Sequence, residues 1–137
     1  MSDKKTIEEL IFNNDIYYHG EHTWAKVKDD KVIVGITDYA QDQLGEIIFI
    51  ELPVVGDEYS QGDVFGQAES AKTVSSLYMP ISGKVSTINE NLEDNPEIVN
   101  NDPYKTGWMI VVEPQQLEEL EKLLSKDGYI NLLKENQ

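Results

Sequence analysis

The sequence of 137 residues contains no cysteine and no arginine. Without cysteine, the chain has no disulfide framework, no thiol nucleophile and no cysteine-based metal site. Any sulfur or redox chemistry must therefore use sulfur that arrives on a cofactor. Without arginine, and with a formal net charge of −15, the surface lacks the cationic forks that favour recognition of phosphates and bases. We therefore predict no nucleic-acid partner.

The chain also lacks any apolar run close to the ~18 residues that a membrane-spanning helix needs. Residues 1–15 contain no uninterrupted apolar segment long enough for a signal-peptide core, and no arginine, so they match neither a secretory signal nor an organelle transit peptide. We expect a bacterial cytoplasmic protein with no membrane association, the alternative being a mature organelle protein without its presequence. The length favours a single domain with a modest core.

Signatures of a free-standing enzyme or of a metal site are missing as well. The sequence has no nucleophile–base motif and no glycine-rich phosphate loop. His19 and His22 are the only histidines, and neither a cysteine nor a third cluster of ligands accompanies them. We predict no catalytic residue and no bound metal.

The residues around Lys72 have the composition of a hairpin turn. Small and polar residues fill the segment 66–76, which lies between the apolar pair Val64–Phe65 and the β-rich segment 77–81. A lysine at the tip of such a hairpin holds its amine in water, where another enzyme can reach it. The plainer interpretation is an ordinary solubilising lysine.

The motifs on either side of this turn favour a lysine that is presented to another enzyme. Gly-Asp pairs at 56–57 and 62–63 precede the strand that leads into the turn, and Pro80 with Gly83 follows the strand that leaves it. This order of turn, strand, lysine and Pro-x-x-Gly resembles the lipoyl and biotinyl carrier domains. Lysine suits such a carrier because its amine can be acylated at the end of a flexible four-carbon stem.

Motifs far from Lys72 make the resemblance more specific. From about Tyr18 to the C-terminus the chain resembles the H-proteins of the glycine cleavage system, on segments 34–41, 43–47, 50–53, 69–72, 92–97, 102–104 and 107–108. This resemblance implies a mainly β barrel-sandwich hybrid with short flanking helices at the N- and C-terminal ends. We expect a helical extension over 1–15 and one carrier domain over 16–137.

The resemblance also implies a function. The chain would be a non-catalytic carrier with a lipoyl group on Lys72, with the turn residues Glu69, Ser70 and Ala71 recognised when the group is attached. It would carry an aminomethyl group from a pyridoxal-phosphate glycine decarboxylase to a tetrahydrofolate-dependent aminomethyltransferase. Dihydrolipoamide dehydrogenase would reoxidise the arm, and a lipoate ligase or an octanoyl or lipoyl transferase would install it. A monomer is expected.

Two residues depart from the family pattern where acidic contacts to the cargo are expected. Thr23 stands in place of the glutamate of His-Glu-Trp, and Ser76 stands where an acid follows the lysine by four residues. We place both in a cleft for the arm together with His22 and Glu21, which could replace the missing acid from the same face of a strand. The alternative is an H-protein-like lipoyl carrier that serves sulfur metabolism or lipoyl relay.

Local patterns predict the flanking structure. Thr6 to Glu9 has the form of a capping box, and Asp29 and Asp30 form a hairpin turn. Thr37 or Asp38 can cap a short helix that ends at a left-handed Gly45. The remaining expectations are a buried strand over 47–52, a long loop over 89–103 with a helical turn after Pro96, a strand over 108–112, a helix from Pro114 to Gly128 and a short final helix over 130–133.

Overall fold

A computed structural model describes residues 4–136 of the chain as two antiparallel sheets with short helices around them. The strands are β1 (Tyr17–Tyr18), β2 (Thr23–Lys28), β3 (Lys31–Ile36), β4 (Ile47–Glu51), β5 (Glu58–Tyr59), β6 (Val64–Ser70), β7 (Val74–Tyr78), β8 (Gly83–Ile88) and β9 (Ile110–Pro114). The α-helices are α1 (Asp38–Leu44), α2 (Asn91–Asp94), α3 (Ile98–Asn101) and α4 (Lys126–Glu135), and 3₁₀ helices cover Ile7–Glu9 and Leu117–Lys122. Within 4–136, no helix is long and apolar enough to cross a bilayer.

One apolar core joins the two sheets. The larger sheet has the strand order β1-β2-β3-β9-β8-β5, and the smaller has the order β4-β6-β7. Val34 and Val112 from the larger sheet and Phe65, Ala68 and Leu77 from the smaller one are buried in the same cluster. Because each strand sends alternate side chains to this core, the short, mixed β segments of the sequence become the two layers around it. The predicted mainly β class is confirmed.

Two Gly-Asp turns repeat the same pattern of backbone pairing. Gly62 donates its N–H to the carbonyl of Met79, and the carbonyl of Asp63 accepts the N–H of Met79. Gly56 and Asp57 exchange the same two hydrogen bonds with Val85. Both glycines have positive φ, 91° and 102°, a conformation that costs glycine little and other residues more. The turn at Gly62–Asp63 thereby ties the start of β6 to Met79, the residue that follows β7.

A second cluster attaches the chain ends to the larger sheet. Leu10, Ile16 and Leu133 pack there around the rings of Tyr18 and Tyr129, which stack with centroids 4.6 Å apart. This burial fixes residues 4–15 and α4 against the sheet. The division into a helical extension and a carrier domain at residue 16 stays a prediction, and its limits at residues 1–3 and 137 lie outside the described chain.

Residues 4–15 also make polar contacts with the loop and helix beside them. The N–H of Ile11 donates to the Asp38 carboxylate at 2.9 Å, and the Tyr104 hydroxyl donates to the carbonyl of Ile11 at 2.7 Å. Lys5 pairs with Asp38 at 3.4 Å. The segment is therefore held by its own specific contacts at the start of α1.

Several local predictions are confirmed. The Glu9 carboxylate accepts the N–H of Thr6 at 2.9 Å, as the capping box requires. The Thr37 hydroxyl accepts the N–H of Ala40 at 3.1 Å and caps α1. β2 and β3 form the predicted hairpin across Asp29–Asp30. The turn after Pro96 is the helix α3.

Other local predictions are wrong. The strand at 47–52 is not buried throughout, because a bulge between Ile47 and Phe49 leaves Ile48 and Phe49 about half exposed. The supposed loop 89–103 also contains α2, whose Leu92 is fully buried. Gly45 has the positive φ expected of a helix end, but its ψ of −160° lies outside the left-handed helical region.

The C-terminal helix is placed differently from the prediction. Pro114 ends β9 opposite Gly83 and does not begin a helix. Gly128 lies in the first turn of α4, where its N–H donates to the Ser125 hydroxyl at 3.2 Å. A serine cap thus starts a ten-residue helix at the position where the glycine suggested an end. The strand predicted from residue 108 begins at Ile110.

A buried carboxylate holds the Pro-x-x-Gly bend that follows β7. Glu119 is 9% exposed, and its two carboxylate oxygens accept the N–H of Ser82 at 2.7 Å and the Ser82 hydroxyl at 2.8 Å. The Ser82 hydroxyl oxygen in turn accepts the N–H of Gln61 at 2.9 Å. The 3₁₀ helix Leu117–Lys122 is therefore tied to the bend by a charged acceptor inside the fold.

We predict that Glu119→Ala lowers the free energy of unfolding by about 2 kcal/mol, because it leaves the buried N–H of Ser82 without an acceptor. Urea denaturation of the full chain measures this loss. Glu118→Ala, one residue earlier and exposed, is the matched control and should change the value by less than about 0.5 kcal/mol. Equal losses in the two variants would contradict the role assigned to Glu119.

Candidate functional site

β6 and β7 form the predicted hairpin, and Lys72 lies at its tip. The last register pair is Glu69 with Val74, and the N–H of Ser70 donates to the carbonyl of Thr73 at 2.8 Å. The Ser70 hydroxyl oxygen also accepts the N–H groups of Lys72 and Thr73 at 3.4 and 3.3 Å. One buried serine side chain thus serves two backbone donors of the tip, as in other serine turns.

The Lys72 side chain is exposed and unpaired. Within residues 4–136 it takes part in no ion pair and no side-chain hydrogen bond. Its stem passes the end of α1, since a Cβ built on Gly45 would lie 3.8 Å from the Lys72 Cε. The amine is therefore accessible from solvent, while its base is held by the hairpin.

The three residues before Lys72 occupy different environments. Ser70 is buried within the turn, Ala71 is exposed beside the lysine, and Glu69 is half-buried between Val74 and Phe49 on the neighbouring strands. An enzyme that approaches the tip can touch Ala71 and Glu69 directly, but it meets Ser70 only through the shape of the turn. Recognition of these residues stays a prediction.

A cleft of about 270 Å³ opens beside the hairpin. Glu21, His22, Thr23 and Ser76, which the sequence placed together, all line it. The far wall is α1, through Tyr39, Ala40, Gln43 and Leu44, and the near wall is the segment 73–77. Lys72 leads into this wall through Thr73, so the cleft lies within reach of a flexible group on the lysine.

The two residues that replace the expected acids are not equivalent. Thr23 is 1% exposed, and its hydroxyl donates to the carbonyl of Tyr78 at 2.8 Å. The Thr23 hydroxyl proton is therefore already used in a hydrogen bond to the backbone. Ser76 is exposed opposite Gln67 and makes no side-chain hydrogen bond in the described chain. Of these two residues, only Ser76 offers a free hydroxyl at the surface of the cleft.

Glu21 supplies the sole carboxylate among the described residues that line the cleft. The expectation that it shares a strand face with Thr23 is wrong, because β2 begins at Thr23 and Glu21 lies in the preceding turn. The Glu21 N–H donates to the His19 Nδ1 at 3.0 Å, and His22 adopts a positive φ of 74°. The turn, rather than strand alternation, brings this carboxylate to the cleft.

His22 connects the cleft to the second core. Its Nδ1 shares a hydrogen bond of 2.8 Å with the Tyr129 hydroxyl, which is joined at 2.8 Å to the Thr37 hydroxyl. Burial lowers the pKa of His22 more than the nearby Glu21 raises it. The imidazole is therefore neutral near pH 7 and acts as a structural partner of Tyr129, whose pKa is raised by burial.

The sequence did not indicate the α1 wall of the cleft. Tyr39 and Gln43 reach it because α1 follows β3 directly, and the ring of Tyr39 lies 4.8 Å from that of His22. The Thr37 cap predicted the helix but not its neighbour across the cleft. Contacts between segments about thirty residues apart depend on how the two sheets pack, which no local pattern encodes.

The comparisons with known proteins agree on one family. The family model described as glycine cleavage H-protein matches residues 16–136. The chain belongs to the glycine cleavage H-protein family. The glycine cleavage system H protein of Halalkalibacterium halodurans is 54% identical over 89% of this chain and 95% of its own length. That of Oceanobacillus iheyensis is 56% identical over 84% and 91%.

A solved H-protein supports the same fold. The crystal structure of the glycine cleavage system H protein from Mycobacterium marinum matches 90% of this chain and 99% of its own, with a TM-score of 0.81 and 33% identity. The barrel-sandwich hybrid expected from the sequence is confirmed. As an H-protein, the chain is a carrier component of the glycine cleavage system and not a catalyst. Residues 4–15 precede the region that the family model matches.

We predict that Ser70→Ala loosens the tip of the lysine hairpin without unfolding the domain. Loss of one acceptor worth about 1 kcal/mol should speed hydrogen exchange at the Thr73 amide about fivefold. Exchange measured by nuclear magnetic resonance tests this, with Ser75→Ala as the control, since the Ser75 hydroxyl meets only the carbonyl of Ser76. Unchanged exchange at Thr73 in Ser70→Ala would refute the role of Ser70.

Proposed function

We propose that Lys72 carries a lipoyl group in amide linkage, and that on this arm the chain carries an aminomethyl group from glycine decarboxylase to the aminomethyltransferase. The observation that supports it best is an unpaired lysine at the tip of a clamped hairpin, within reach of a cleft. Acylation would neutralise the lysine. Because its side chain forms no ion pair with any residue of 4–136, acylation would leave no partner charge behind there.

The residues beside Lys72 fit such an arm. Ile36, Leu44, Val74 and Leu77 give the cleft apolar walls, which suit an aliphatic chain. Ser76 and Glu21 provide polar contacts at the same cleft. When bound, the lipoyl group would supply the sulfur chemistry that a chain without cysteine lacks.

The proposed partners follow from this role. They are the pyridoxal-phosphate decarboxylase, the tetrahydrofolate-dependent aminomethyltransferase, dihydrolipoamide dehydrogenase, and a lipoate ligase or an octanoyl or lipoyl transferase. A rigid hairpin lowers the entropy lost when each enzyme docks, because the lysine has a fixed position beforehand. We expect the chain to work as a monomer in the cytoplasm.

One observation favours a second candidate, a lipoyl carrier that serves sulfur metabolism or lipoyl relay. Thr23 and Ser76 leave the cleft without the two acids of the family pattern, and the Thr23 hydroxyl is already bonded to Tyr78. A charge-assisted contact to a cationic cargo is about twice as strong as a neutral one. Glu21 restores one carboxylate, however, and therefore supports the glycine cleavage role.

We predict that Lys72 is the sole site of lipoylation. Co-expression with a lipoate ligase and lipoate should add the mass of one lipoyl group, and peptide mapping should assign it to residue 72. Lys72→Arg should abolish the gain, whereas Lys84→Arg, an exposed lysine on β8, should not. An unchanged mass, or a label on another lysine, would refute the proposal.

We predict that Glu21→Gln slows glycine–bicarbonate exchange about fivefold, measured with the lipoylated protein and its decarboxylase. Loss of one charge-assisted contact worth about 1 kcal/mol corresponds to this factor. Glu46→Gln, exposed at the end of α1 and outside the cleft lining, is the control and should retain the rate. Exchange that is absent in the unmutated lipoylated protein would favour the second candidate. A rate unaffected by Glu21→Gln would remove Glu21 from the cargo site.

A further inference from the structure

A second cavity, larger than the arm cleft, lies on the outer side of β2. It measures about 740 Å³ and crosses β2, β3 and β9 to the segment 104–108. Thr23 and Trp24 are neighbours in β2, and because side chains alternate along a strand, Thr23 lines the cleft while Trp24 lines this second cavity. We call it the lysine groove.

Four lysines surround an apolar floor in this groove. Lys26, Lys28, Lys31 and Lys105 line it, and Ile33, Val111 and Trp108 lie between them. The groove residues hold four of the eleven lysines of the chain but only two of its twenty-six acids, Asp29 and Asp30. Their formal charge is therefore +2, and that of the remaining chain is −17.

The groove lysines are not paired with any carboxylate of the described residues. Across residues 4–136, none of the four forms an ion pair or a side-chain hydrogen bond. Lys28 even stands directly opposite Lys31 in the β2–β3 register, and like charges in that position destabilise a sheet. An anionic group in the groove would relieve this repulsion.

We propose that the lysine groove binds a short acidic segment of a partner protein in an extended conformation, with an apolar side chain against its floor. Trp24, Lys26 and Lys28 project from one face of β2 at every second residue, and an extended peptide repeats its side chains at the same ~7 Å period. Acids four residues apart with an aromatic residue midway would all lie on one face of such a peptide, so both acids and the apolar side chain would face the groove.

The charge of the rest of the chain limits the occupant to a short segment. An extensively acidic protein would be repelled by the surface of charge −17, but at about 0.15 M salt this repulsion is screened beyond about 8 Å. Contacts inside the groove are closer than that and keep their attraction. Because the groove and the arm cleft lie on opposite faces of β2, a bound segment would leave Lys72 free to move.

Tryptophan fluorescence can test this directly, since both tryptophans of the chain line the groove. The probe is an acetylated and amidated peptide, Ser-Glu-Ser-Phe-Ser-Glu-Ser, titrated into the full chain at about 0.15 M salt. We expect a saturable change. Replacing the Phe by Ala, or both Glu by Gln, should weaken binding about tenfold, which corresponds to about 1.4 kcal/mol.

Matched charge reversals supply the control. Lys28→Glu with Lys105→Glu should weaken binding of the Phe peptide at least about tenfold, the effect of about 1.4 kcal/mol. Lys122→Glu with Lys134→Glu changes the net charge equally at two other exposed lysines and should leave binding within about twofold. Thermal unfolding of each variant verifies that both remain folded.

Three results would overturn the proposal. The first is no saturable change with the Phe peptide. The second is equal weakening by the two double variants, which would show a general charge effect without a groove. The third is self-association of the chain in sedimentation that only Lys28→Glu with Lys105→Glu abolishes, because the occupant would then be a second copy of the chain.

Discussion

Backbone pairing of the Gly-Asp turns is the constraint on which the lysine site depends. A two-stranded hairpin is at best marginally stable by itself in water. Here the turn at Gly62–Asp63 exchanges two hydrogen bonds with Met79, at the base of the β6–β7 hairpin. The turn at Gly56–Asp57 pairs in the same way with Val85, beyond the Pro-x-x-Gly bend. The hairpin base is thus held at Met79 and the segment after the bend at Val85, and Ser70 orders the tip through its N–H and its side chain.

This arrangement separates the chemistry from the scaffold. Within residues 4–136, the Lys72 side chain has no ion pair or hydrogen bond that acylation would break, so a modified and an unmodified chain can share one fold. The polar groups of the arm cleft are more constrained, since Thr23 is bonded to Tyr78 and His22 to Tyr129. Ser76 and Glu21 are two polar residues of the cleft lining whose side chains remain available to a cargo.

β2 links the two surfaces proposed for binding. Its alternating side chains direct Thr23 to the arm cleft and Trp24, Lys26 and Lys28 to the lysine groove. The positively charged lysine groove on an otherwise strongly acidic protein can orient a partner without covering the arm. The carrier would then hold a partner through one face of a strand while the lysine on the neighbouring hairpin reaches its active site.

The sequence predicted the features that local chemistry determines. Gly62, Pro80 and Gly83 bracket the lysine hairpin, and the hydroxyl of Thr37 caps α1, so both elements could be predicted from a few neighbouring residues. Contacts between distant segments determine the bulge at Ile48–Phe49 and the cleft wall formed by Tyr39 and Gln43. No local sequence pattern predicts either feature. Gly128 lies near the start of α4 and not at the end of a helix, because Ser125, three residues earlier, caps α4.

The central claim is that the turn ordered by Ser70 presents residue 72, and not merely any lysine near the tip, for acylation. The most direct measurement moves the lysine by one position, in a chain that carries Ala71→Lys together with Lys72→Ala, and follows its mass during incubation with lipoate ligase and lipoate. We expect little or no lipoylation, because the shifted side chain leaves the turn in another direction. Lipoylation at the rate of the unmutated chain would contradict it.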